Sequence, residues 1–449
     1  MKVLVVGGGS GGHITPAVAV VRELLKLKPR TRVEFWTDRK YYKNVVKITT
    51  EIGVGWGVDE KGSSVGGKPY IRVRRIMAGK FHRYAGWKLA DYFENWQITL
   101  KDIIWGNLVG FVGFIGGIVQ SFVRLFGYEG RPDVIFLKGG FVGLPVGLVA
   151  RLLGIPYVIH ESDAVPGLAN RLLMKHAATV CLGINNGSDI ADPSGGRSSG
   201  PSSRASSLRP RRDCGCPPDE STTVASRFIF TGTPVAAEFK PVSENKQKAL
   251  KKALGFDESK PLVIVTGGSQ GAVHINEAVR EILPEMLEFA SVGLIAGRKH
   301  YEEMVDLKEK YEEWDQAHLI SNFRLWNFSS VMEEIMGAAD VVVSRAGATT
   351  IAELAALKKA LVLVPFEKLP GGHQVKNADR LAKMKAAVAV RDERMVNQPG
   401  ILLEAVKHLV RSPKERKTLA ENLHEQAQTD AAKKIAQILV DNSRKRMTD

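Results

Sequence analysis

A histidine stands inside a glycine-rich turn near the start of the chain, in VVGGGSGGHITP at Val5–Pro16. Glycine residues let the backbone adopt positive φ and let a ligand approach without a Cβ in the way. A helix that follows such a turn presents free N–H groups to an anion, so a phosphate is the expected ligand. Pro16 suits the first turn of that helix and places His13 at the mouth of the loop. Because imidazole titrates near neutrality, His13 is a candidate general base, with capping or packing as the alternative.

The same turn also fits the dinucleotide-binding spacing GxGxxG, through Gly7, Gly9 and Gly12. Asp38 follows a second strand-like run, where a ribose-binding acid is expected in an NAD-dependent oxidoreductase. A second turn weakens this interpretation, because GGSQGA after the run Leu262–Thr266 repeats the opening pattern. One dinucleotide-binding domain would not need a second phosphate-binding turn.

Further polar residues follow two strand-like runs of the first half. Gly139 and Gly140 come at the end of the run Asp133–Lys138. The run that starts at Tyr157 ends in a second polar set, which is His160, Glu161 and Asp163. Since ligands of parallel sheets bind at the carboxyl ends of strands, we expect these residues to line a site. Loop polarity and helix capping are the alternative.

In the second half, the run Val341–Ser344 is followed by small residues that would admit a diphosphate at a helix start. Glu353 lies in the same segment and could accept hydrogen bonds from ribose hydroxyls. A later loop carries polar side chains that suit a sugar, namely His373, Gln374 and Asn377.

Strands alternate with helices along most of the chain, which predicts an α/β protein with parallel sheets covered by helices. The 449 residues are too many for one typical core and suit two domains. We predict a first Rossmann-like domain at 1–184 and 227–235 and a second at 236–415. A helical segment at 416–449 is expected to pack back on the first domain. Residues 185–226 are rich in Ser, Gly, Pro and Arg, so we expect a disordered insertion.

The formal charge of +15 predicts an anionic partner, which could be nucleic acid, an acidic membrane or a phosphorylated substrate. Three cysteines provide neither an even disulfide framework nor four metal ligands, which indicates a reducing compartment. The first apolar run is too short for a signal-peptide core, so we expect a cytoplasmic protein.

A membrane-facing region is predicted between the two glycine turns of the first half. Nine Lys or Arg and only two acids lie between Lys61 and Lys101, with Trp and other aromatic residues among them. The run Ile103–Val123 then contains no charged residue. This combination predicts contact with an anionic bilayer surface. A membrane-spanning helix and a buried core helix are the alternatives for the uncharged run.

Taken in order, these motifs resemble glycosyltransferase family 28, and within it the UDP-N-acetylglucosamine (UDP-GlcNAc) transferases that convert lipid I to lipid II. The matching segments reach both predicted domains and are GGGSGGHITPA at Gly7–Ala17, AGK with Arg83 and Tyr84, KGGFVGLP at Lys138–Pro145, HESDAVPGLANR at His160–Arg171, GTPV at 232–235, GGSQGA at 267–272, SRAGATTIAE at Ser344–Glu353 and HQVKNA at His373–Ala378. The resemblance implies the GT-B fold, in which two Rossmann-like domains with parallel sheets face a central cleft. It also implies inverting chemistry that needs no metal and no cofactor.

The implied partners are UDP-GlcNAc as donor, lipid I (undecaprenyl-diphospho-N-acetylmuramoyl-peptide) as acceptor and an anionic inner-membrane surface, with no nucleic acid. The implied location is the cytoplasmic face of the cell membrane, where lipid II is made for peptidoglycan. Three alternatives stay open: a glycolipid synthase or nucleotide-sugar epimerase of the same fold, an NAD-dependent oxidoreductase, and a catalytically silent membrane-bound homologue.

The resemblance also assigns residues. His13 is the implied general base, and Asp163 is expected close enough to hold its imidazole or share the proton. The implied acceptor and diphosphate contacts are Ser10, Gly11, Gly12, Gly140, Phe141, His160, Glu161 and Asn170. The implied donor contacts are Gly268, Ser269, Gln270, Asn276, Ser329, Arg345, Gly347, Ala348, Thr349, Glu353, His373 and Gln374.

Three positions depart from the family pattern. Asp163 stands where the family has a neutral amide, which adds an acid beside an anionic ligand. Ala236 follows Val235 where a basic residue is common, and Phe141 stands where tyrosine is frequent. These departures predict an active enzyme of reduced efficiency and keep the silent homologue open.

The insertion provides a first testable prediction. Because 185–226 has few apolar side chains to bury, a protease that cleaves after arginine should cut there first, for example at Arg204 or Arg209. Limited proteolysis followed by mass spectrometry should give two stable fragments, and activity should persist after the cut. Loss of donor binding on replacing the segment with a short linker would contradict this prediction.

Overall fold

The structure is a computed structural model, and it describes residues 1–54, 70–79, 81, 104–127, 131–184, 227–268, 271–298, 300–306, 320–329, 331–368 and 371–448. The predicted insertion and most of the basic, aromatic stretch lie outside the described residues. Ser269 and Gln270, two predicted donor contacts, also lie outside them.

The first half forms a parallel sheet of seven described strands in the order β3-β2-β1-β4-β5-β6-β7. Its elements are β1 (Lys2–Val6), α1 (Gly11–Leu27), β2 (Arg32–Thr37), α2 (Tyr42–Val54), β3 (Tyr70–Arg75), α3 (Gly106–Phe126), β4 (Val134–Leu137), α4 (Gly143–Leu152), β5 (Tyr157–Glu161), α5 (Leu168–Met174), β6 (Thr179–Leu182) and β7 (Phe228–Phe230).

The second half forms a parallel sheet of six described strands in the order β10-β9-β8-β11-β12-β13. Its elements, with the helices that follow, are α6 (Glu244–Ala253), β8 (Leu262–Thr266), α7 (Val273–Phe289), β9 (Ser291–Ile295), β10 (Phe323–Trp326), α8 (Met332–Ala338), β11 (Val341–Ser344), α9 (Ala348–Leu357), β12 (Ala360–Leu363), α10 (His373–Lys383), β13 (Val388–Ala389), α11 (Asp392–Asn397), α12 (Gly400–Arg411), α13 (Pro413–His424) and α14 (Ala431–Thr448).

Both sheets reverse their strand order beside their first strand, and this reversal positions the site. In the first sheet, β1 pairs with β2 on one side and with β4 on the other. In the second sheet, β8 pairs with β9 and with β11 in the same way. Ligands of open parallel sheets bind in the crevice at such a reversal. The four loops that follow β1, β4, β8 and β11 contain the glycine-rich motifs singled out in the sequence.

The last helix, α14, returns to the first sheet. Its residues Ile435 and Leu439 share a buried core with Val5 of β1 and Val20 of α1. This packing ties the end of the chain to the half in which the chain began. The domain boundaries given above stay predictions.

Helix α3 buries glycines and exposes large apolar side chains. It packs closely on the segment 76–79, where a Cβ on Gly79 would collide with the Gly110 carbonyl and a Cβ on Gly117 with the Met77 carbonyl. The opposite face is exposed along its whole length, from Trp105, which is 64% exposed, to Phe126. By length and composition α3 could cross a membrane, but only 22% of its most apolar window is buried. The alternative of a buried core helix is therefore wrong.

This glycine contact makes a stability prediction. Gly79→Ala must push α3 away from the first sheet, and overpacking of this kind costs about 1–3 kcal/mol. Chemical unfolding monitored by circular dichroism should show this loss. Gly400→Ala is the control, because nothing lies within 4 Å of the Cβ it would add, and it should be near neutral. Equal stability of the two variants would contradict the close packing of α3.

Candidate functional site

The turns after β1 and β4 approach each other through two glycines whose backbone conformation and close contacts disfavour any other residue. Gly9 and Gly140 adopt φ of 79° and 78°, in the left-handed region. A Cβ on Gly140 would lie 2.9 Å from Nδ1 of His13, and a Cβ on Gly9 would lie 2.8 Å from the Phe141 ring. These glycines therefore let the His13 and Phe141 rings lie directly on the backbone of the opposite turn.

The hydrogen bonds of His13 define its tautomer. Its Nδ1 lies 2.7 Å from the Gly8 carbonyl oxygen and 3.3 Å from the Ser10 hydroxyl. Since a carbonyl oxygen only accepts, Nδ1 carries the hydrogen in the neutral ring and Nε2 holds the free lone pair. Burial lowers the pKa of His13, and the charge of Lys138 lowers it further. The imidazole is therefore a neutral base at neutral pH.

The loop after β5 is organised by the buried carboxylate of Glu161. One carboxylate oxygen accepts the Asp163 N–H at 3.1 Å, and the other accepts the Gly167 N–H at 3.0 Å and Asn170 Nδ2 at 2.9 Å. The same Asn170 amide packs on the turn after β4, because a Cβ on Gly139 would lie 3.0 Å from Asn170 Nδ2. Glu161 and Asn170 thus shape the loop beside His13, and their contacts with an acceptor stay predictions.

His160 links β5 to the exit from the first domain. It has no exposed surface, and its Nε2 donates to the Gly232 carbonyl at 2.9 Å. Its pKa is lowered well below the usual value by burial, so the ring is neutral. Its Nδ1 has no hydrogen-bond partner among the described residues. Its predicted acceptor contact stays a prediction.

Helices at the two strand-order reversals begin without a capping side chain. Ser10, Ala272 and Gly347 precede α1, α7 and α9, and no side chain at these positions accepts a backbone N–H of the helix. By contrast, Ser243 caps α6 by accepting the Lys246 N–H at 3.3 Å. A Cβ on Gly347 would meet nothing within 4 Å, so this helix start faces open space. Free N–H groups and the helix dipole make such starts anion sites.

A hydrogen bond joins the two halves where α1 and α9 begin. Helix α1 starts at Gly11, so Pro16 lies in its second turn and not in its first turn as predicted. Proline has no N–H, so the Gly12 carbonyl one turn earlier lacks its helical partner. Thr349 Oγ1 donates to this carbonyl at 3.1 Å. The amino ends of both helices are thereby brought to the same part of the cleft.

Glu353 of α9 is held in the neutral form. Burial raises the pKa of its carboxyl to about 8, and the nearby charge of Glu333 adds to this shift. Across the described part of the chain, the Glu353 carboxyl has no hydrogen-bond partner. Its oxygens are consequently available to a ligand with hydroxyl groups.

The sequence matches a known family over both halves. Residues 3–182 match the glycosyltransferase family 28 N-terminal domain, and residues 262–436 match the family 28 C-terminal domain. Together these matches span well over half of the chain. The chain belongs to glycosyltransferase family 28. It is therefore a glycosyltransferase, and its two parallel sheets are the GT-B fold that the family resemblance implied.

Two relatives of this family 28 enzyme carry the same name. Proteins of Clostridium kluyveri, 28% identical with 98% of each chain covered, and of Lachnospira eligens, 29% identical with 99% covered, are both named UDP-N-acetylglucosamine–N-acetylmuramyl-(pentapeptide) pyrophosphoryl-undecaprenol N-acetylglucosamine transferase. The crystal structure of Acinetobacter baumannii MurG shares the fold, with a TM-score of 0.59 and 22% identity over 98% of this chain and 99% of that one.

In this family 28 enzyme, Arg345 is held by a residue that the sequence analysis did not identify. Its guanidinium bonds to the Asp392 carboxylate and lies 5.3 Å from the centre of the Phe366 ring. The other oxygen of Asp392 lies 2.7 Å from Nδ1 of His274, in the first turn of α7. Asp392 thus ties the loop after β11 to the start of α7. No local motif marks it, because its partners lie 47 and 118 positions away in the chain.

The remaining predicted donor residues either hydrogen-bond to the protein backbone or begin a helix. Gln374 accepts the Phe366 N–H at 2.9 Å through Oε1, and Ser329 accepts the Val331 N–H at 3.1 Å. Asn276 is buried and donates to the Ala296 carbonyl at 3.0 Å. His373 and Ala348 begin α10 and α9.

The hydrogen bond expected between Asp163 and His13 is not formed within the described residues, where His13 contacts Gly8 and Ser10 instead. The carboxylates whose charges act on His13 are Glu161 and Asp38. The catalytic role of Asp163 stays a prediction.

Proposed function

We propose that this enzyme transfers N-acetylglucosamine from UDP-GlcNAc to lipid I with inversion, forming lipid II for peptidoglycan synthesis. The observation that carries the proposal is a neutral His13, with a free Nε2, beside uncapped helix starts of both domains. The names of the relatives support this donor and acceptor.

In the proposed mechanism, His13 Nε2 takes the proton from the acceptor hydroxyl as that oxygen attacks the anomeric carbon of the donor. The new glycosidic C–O bond forms while the bond to the UDP oxygen breaks on the opposite face. Negative charge develops on the departing diphosphate, and the free N–H groups at the starts of α7 and α9 stabilise it. No step in this scheme requires a group that the chain does not supply.

We assign the remaining contacts by the half in which they lie. Ser10, Gly11 and Gly12 at the start of α1, with Gly140 and Phe141, hold the acceptor diphosphate. Glu353 accepts the ribose hydroxyls, and residues of α10 contact the sugar. The backbone at Ser329 contacts the uracil, and Asp392 supports the donor loop through Arg345.

The exposed face of α3 suits a membrane surface. Large apolar side chains line it from Ile104 to Phe126, and Arg124 and Arg131 lie near its far end. We propose that this face rests on the anionic surface of the cytoplasmic leaflet, where an undecaprenyl-linked acceptor would be presented. The glycine contacts with Met77 and Gly79 favour this over a spanning helix, because they hold α3 on the first sheet.

The general base can be tested by substitution. His13→Ala should lower kcat by about 10²–10⁴, the usual contribution of general-base catalysis, while UDP-GlcNAc affinity stays unchanged because the donor binds the other domain. Transfer of radiolabelled GlcNAc to lipid I and calorimetry measure the two quantities. His408→Ala, at a surface ion pair with Glu415, is the control and should keep full activity. Wild-type protein without transfer to lipid I would overturn the proposed function.

The raised pKa of Glu353 predicts a pH-dependent donor affinity. Ribose hydroxyls donate to the ionised carboxylate, so binding releases a proton at any pH below the free pKa of about 8. UDP-GlcNAc affinity should rise with pH, by up to about tenfold per unit between pH 6 and 8, and level off above. Calorimetry in two buffers measures the released proton. Glu353→Gln should remove this dependence of affinity on pH. Glu404→Gln, at an exposed position, is the control and should keep it. The same pH dependence in both variants would refute the assignment.

Membrane contact should depend on salt. Surface charges are screened over about 8 Å at physiological ionic strength, so binding to vesicles should need anionic lipid and fall as salt rises. Replacing exposed Val112 and Val119 by Ser should weaken binding without loss of fold. Protein that resists both high salt and alkaline carbonate would show a spanning helix instead.

A further inference from the structure

Lys138 is a buried lysine in the acceptor half of the site. It follows β4 directly, and only 1% of its surface is exposed. Its Nζ donates to the Ser162 hydroxyl at 2.5 Å. Burying an ammonium group is costly unless opposite charges compensate for it. Its position at a strand-order reversal, beside the base, therefore calls for an explanation.

The charges around Lys138 come from the loop after β5. Glu161 and Asp163 both favour its ammonium form, in that order, against burial, which lowers the Lys138 pKa to about 8. Both oxygens of Glu161 already accept hydrogen bonds from the loop. Asp163 is the acid that stands where the family has an amide. Lys138 supplies the cation that offsets this additional negative charge.

The same ammonium acts on His13. His13 hydrogen-bonds to the Gly8 carbonyl and the Ser10 hydroxyl. Three charged groups act on it, namely the carboxylates of Glu161 and Asp38 and the ammonium of Lys138. The buried ring of His160 is a neutral neighbour. The carbonyl and the two carboxylates favour the imidazolium form. Lys138 is the cation that opposes them in this set.

We propose that Lys138 is a positioning residue of the acceptor site. Its ammonium holds the loop through Ser162, offsets the charge of Asp163 and adds to the effect of burial, which is the main cause that keeps His13 neutral. The inference rests on the proposed function in taking His13 as the base and this half of the site as the acceptor side. It explains why Asp163 does not make the site more negative: the acid and the lysine together add no net charge.

The test is an NMR titration of His13 in the full chain labelled with 13C-histidine, with His13→Gln to assign the signal. Lys138→Met should raise the midpoint of His13 by about one pH unit, because a nearby cation is removed. Lys359→Met is the matched control. Lys359 is 6% exposed, donates to the Gly337 and Ala339 carbonyls, and has a pKa lowered to about 8, but it lies in the second domain. An unchanged His13 midpoint in folded Lys138→Met would overturn the proposal.

Asp163→Asn gives a second readout should Lys138→Met fail to fold. With Asp163 neutral, the ammonium of Lys138 loses a partner, so its own titration midpoint, followed with 13C-lysine, should fall below about 8. An unchanged Lys138 midpoint would overturn the proposed charge pairing.

Enzyme kinetics then test separately whether Lys138 acts on His13 and whether His13 is the base of the reaction. In Lys138→Met the acid limb of the kcat/KM profile should move to higher pH with the His13 midpoint, and it should not move in Lys359→Met. The proposal fails if the midpoint shifts and the acid limb does not. Shifted midpoints in a protein that never transfers sugar to lipid I would leave the role of Lys138 intact and refute the proposed function.

Discussion

The missing N–H of Pro16 leaves room for a hydrogen bond that joins the two halves of the chain at the cleft. It leaves the Gly12 carbonyl without a partner inside α1, and Thr349 of the other domain donates to that carbonyl. In this bond the helix after β1 meets the helix after β11, and both strand-order reversals face the same cleft. The return of α14 to the first sheet supports the same arrangement, because its residues complete the core around Val5.

Charge is distributed around this contact in two complementary ways. On the acceptor side, the cation of Lys138 is buried with the acids of the 161–163 loop, and the base beside them stays neutral. On the donor side, burial keeps Glu353 a neutral acid, and we propose that it ionises when a ligand offers hydroxyl groups. The ammonium of Lys138 and the neutral form of Glu353 thus reduce the negative charge next to the diphosphates that the two half-sites are proposed to hold, while uncapped helix starts provide positive potential.

Much of the fold could be predicted because buried parallel strands are short apolar runs. The runs Leu262–Thr266 and Val341–Ser344 match observed strands residue for residue. Pro16 was expected in the first turn of α1 but lies in the second, because Gly11 and Gly12 join the helix despite the low helix propensity of glycine. Strand β3, inside the basic stretch, was not predicted, since its alternating arginines read as surface charge. The environment of α3 could not be predicted either, because an apolar run alone does not show which of its faces the rest of the protein buries.

The site residues that sequence reasoning missed share one property. Lys138, Asp392 and His274 act through partners on other elements, and neither spacing nor local composition reveals such pairs. Lys138 was visible as part of KGGFVGLP, but its pairing with the loop around Asp163 depends on β4 and β5 being neighbours. Asp163 was recognised as a departure, and only the structure supplied the compensating charge.

The central claim is a direct displacement between the two half-sites, with His13 as base and UDP leaving on the opposite face. The anomeric configuration of the product measures this most directly. Proton NMR of the disaccharide released from the reaction of α-linked UDP-GlcNAc with lipid I should show a β-linkage, with the large coupling of a diaxial anomeric proton. An α-linked product would contradict a single displacement and the account built on it.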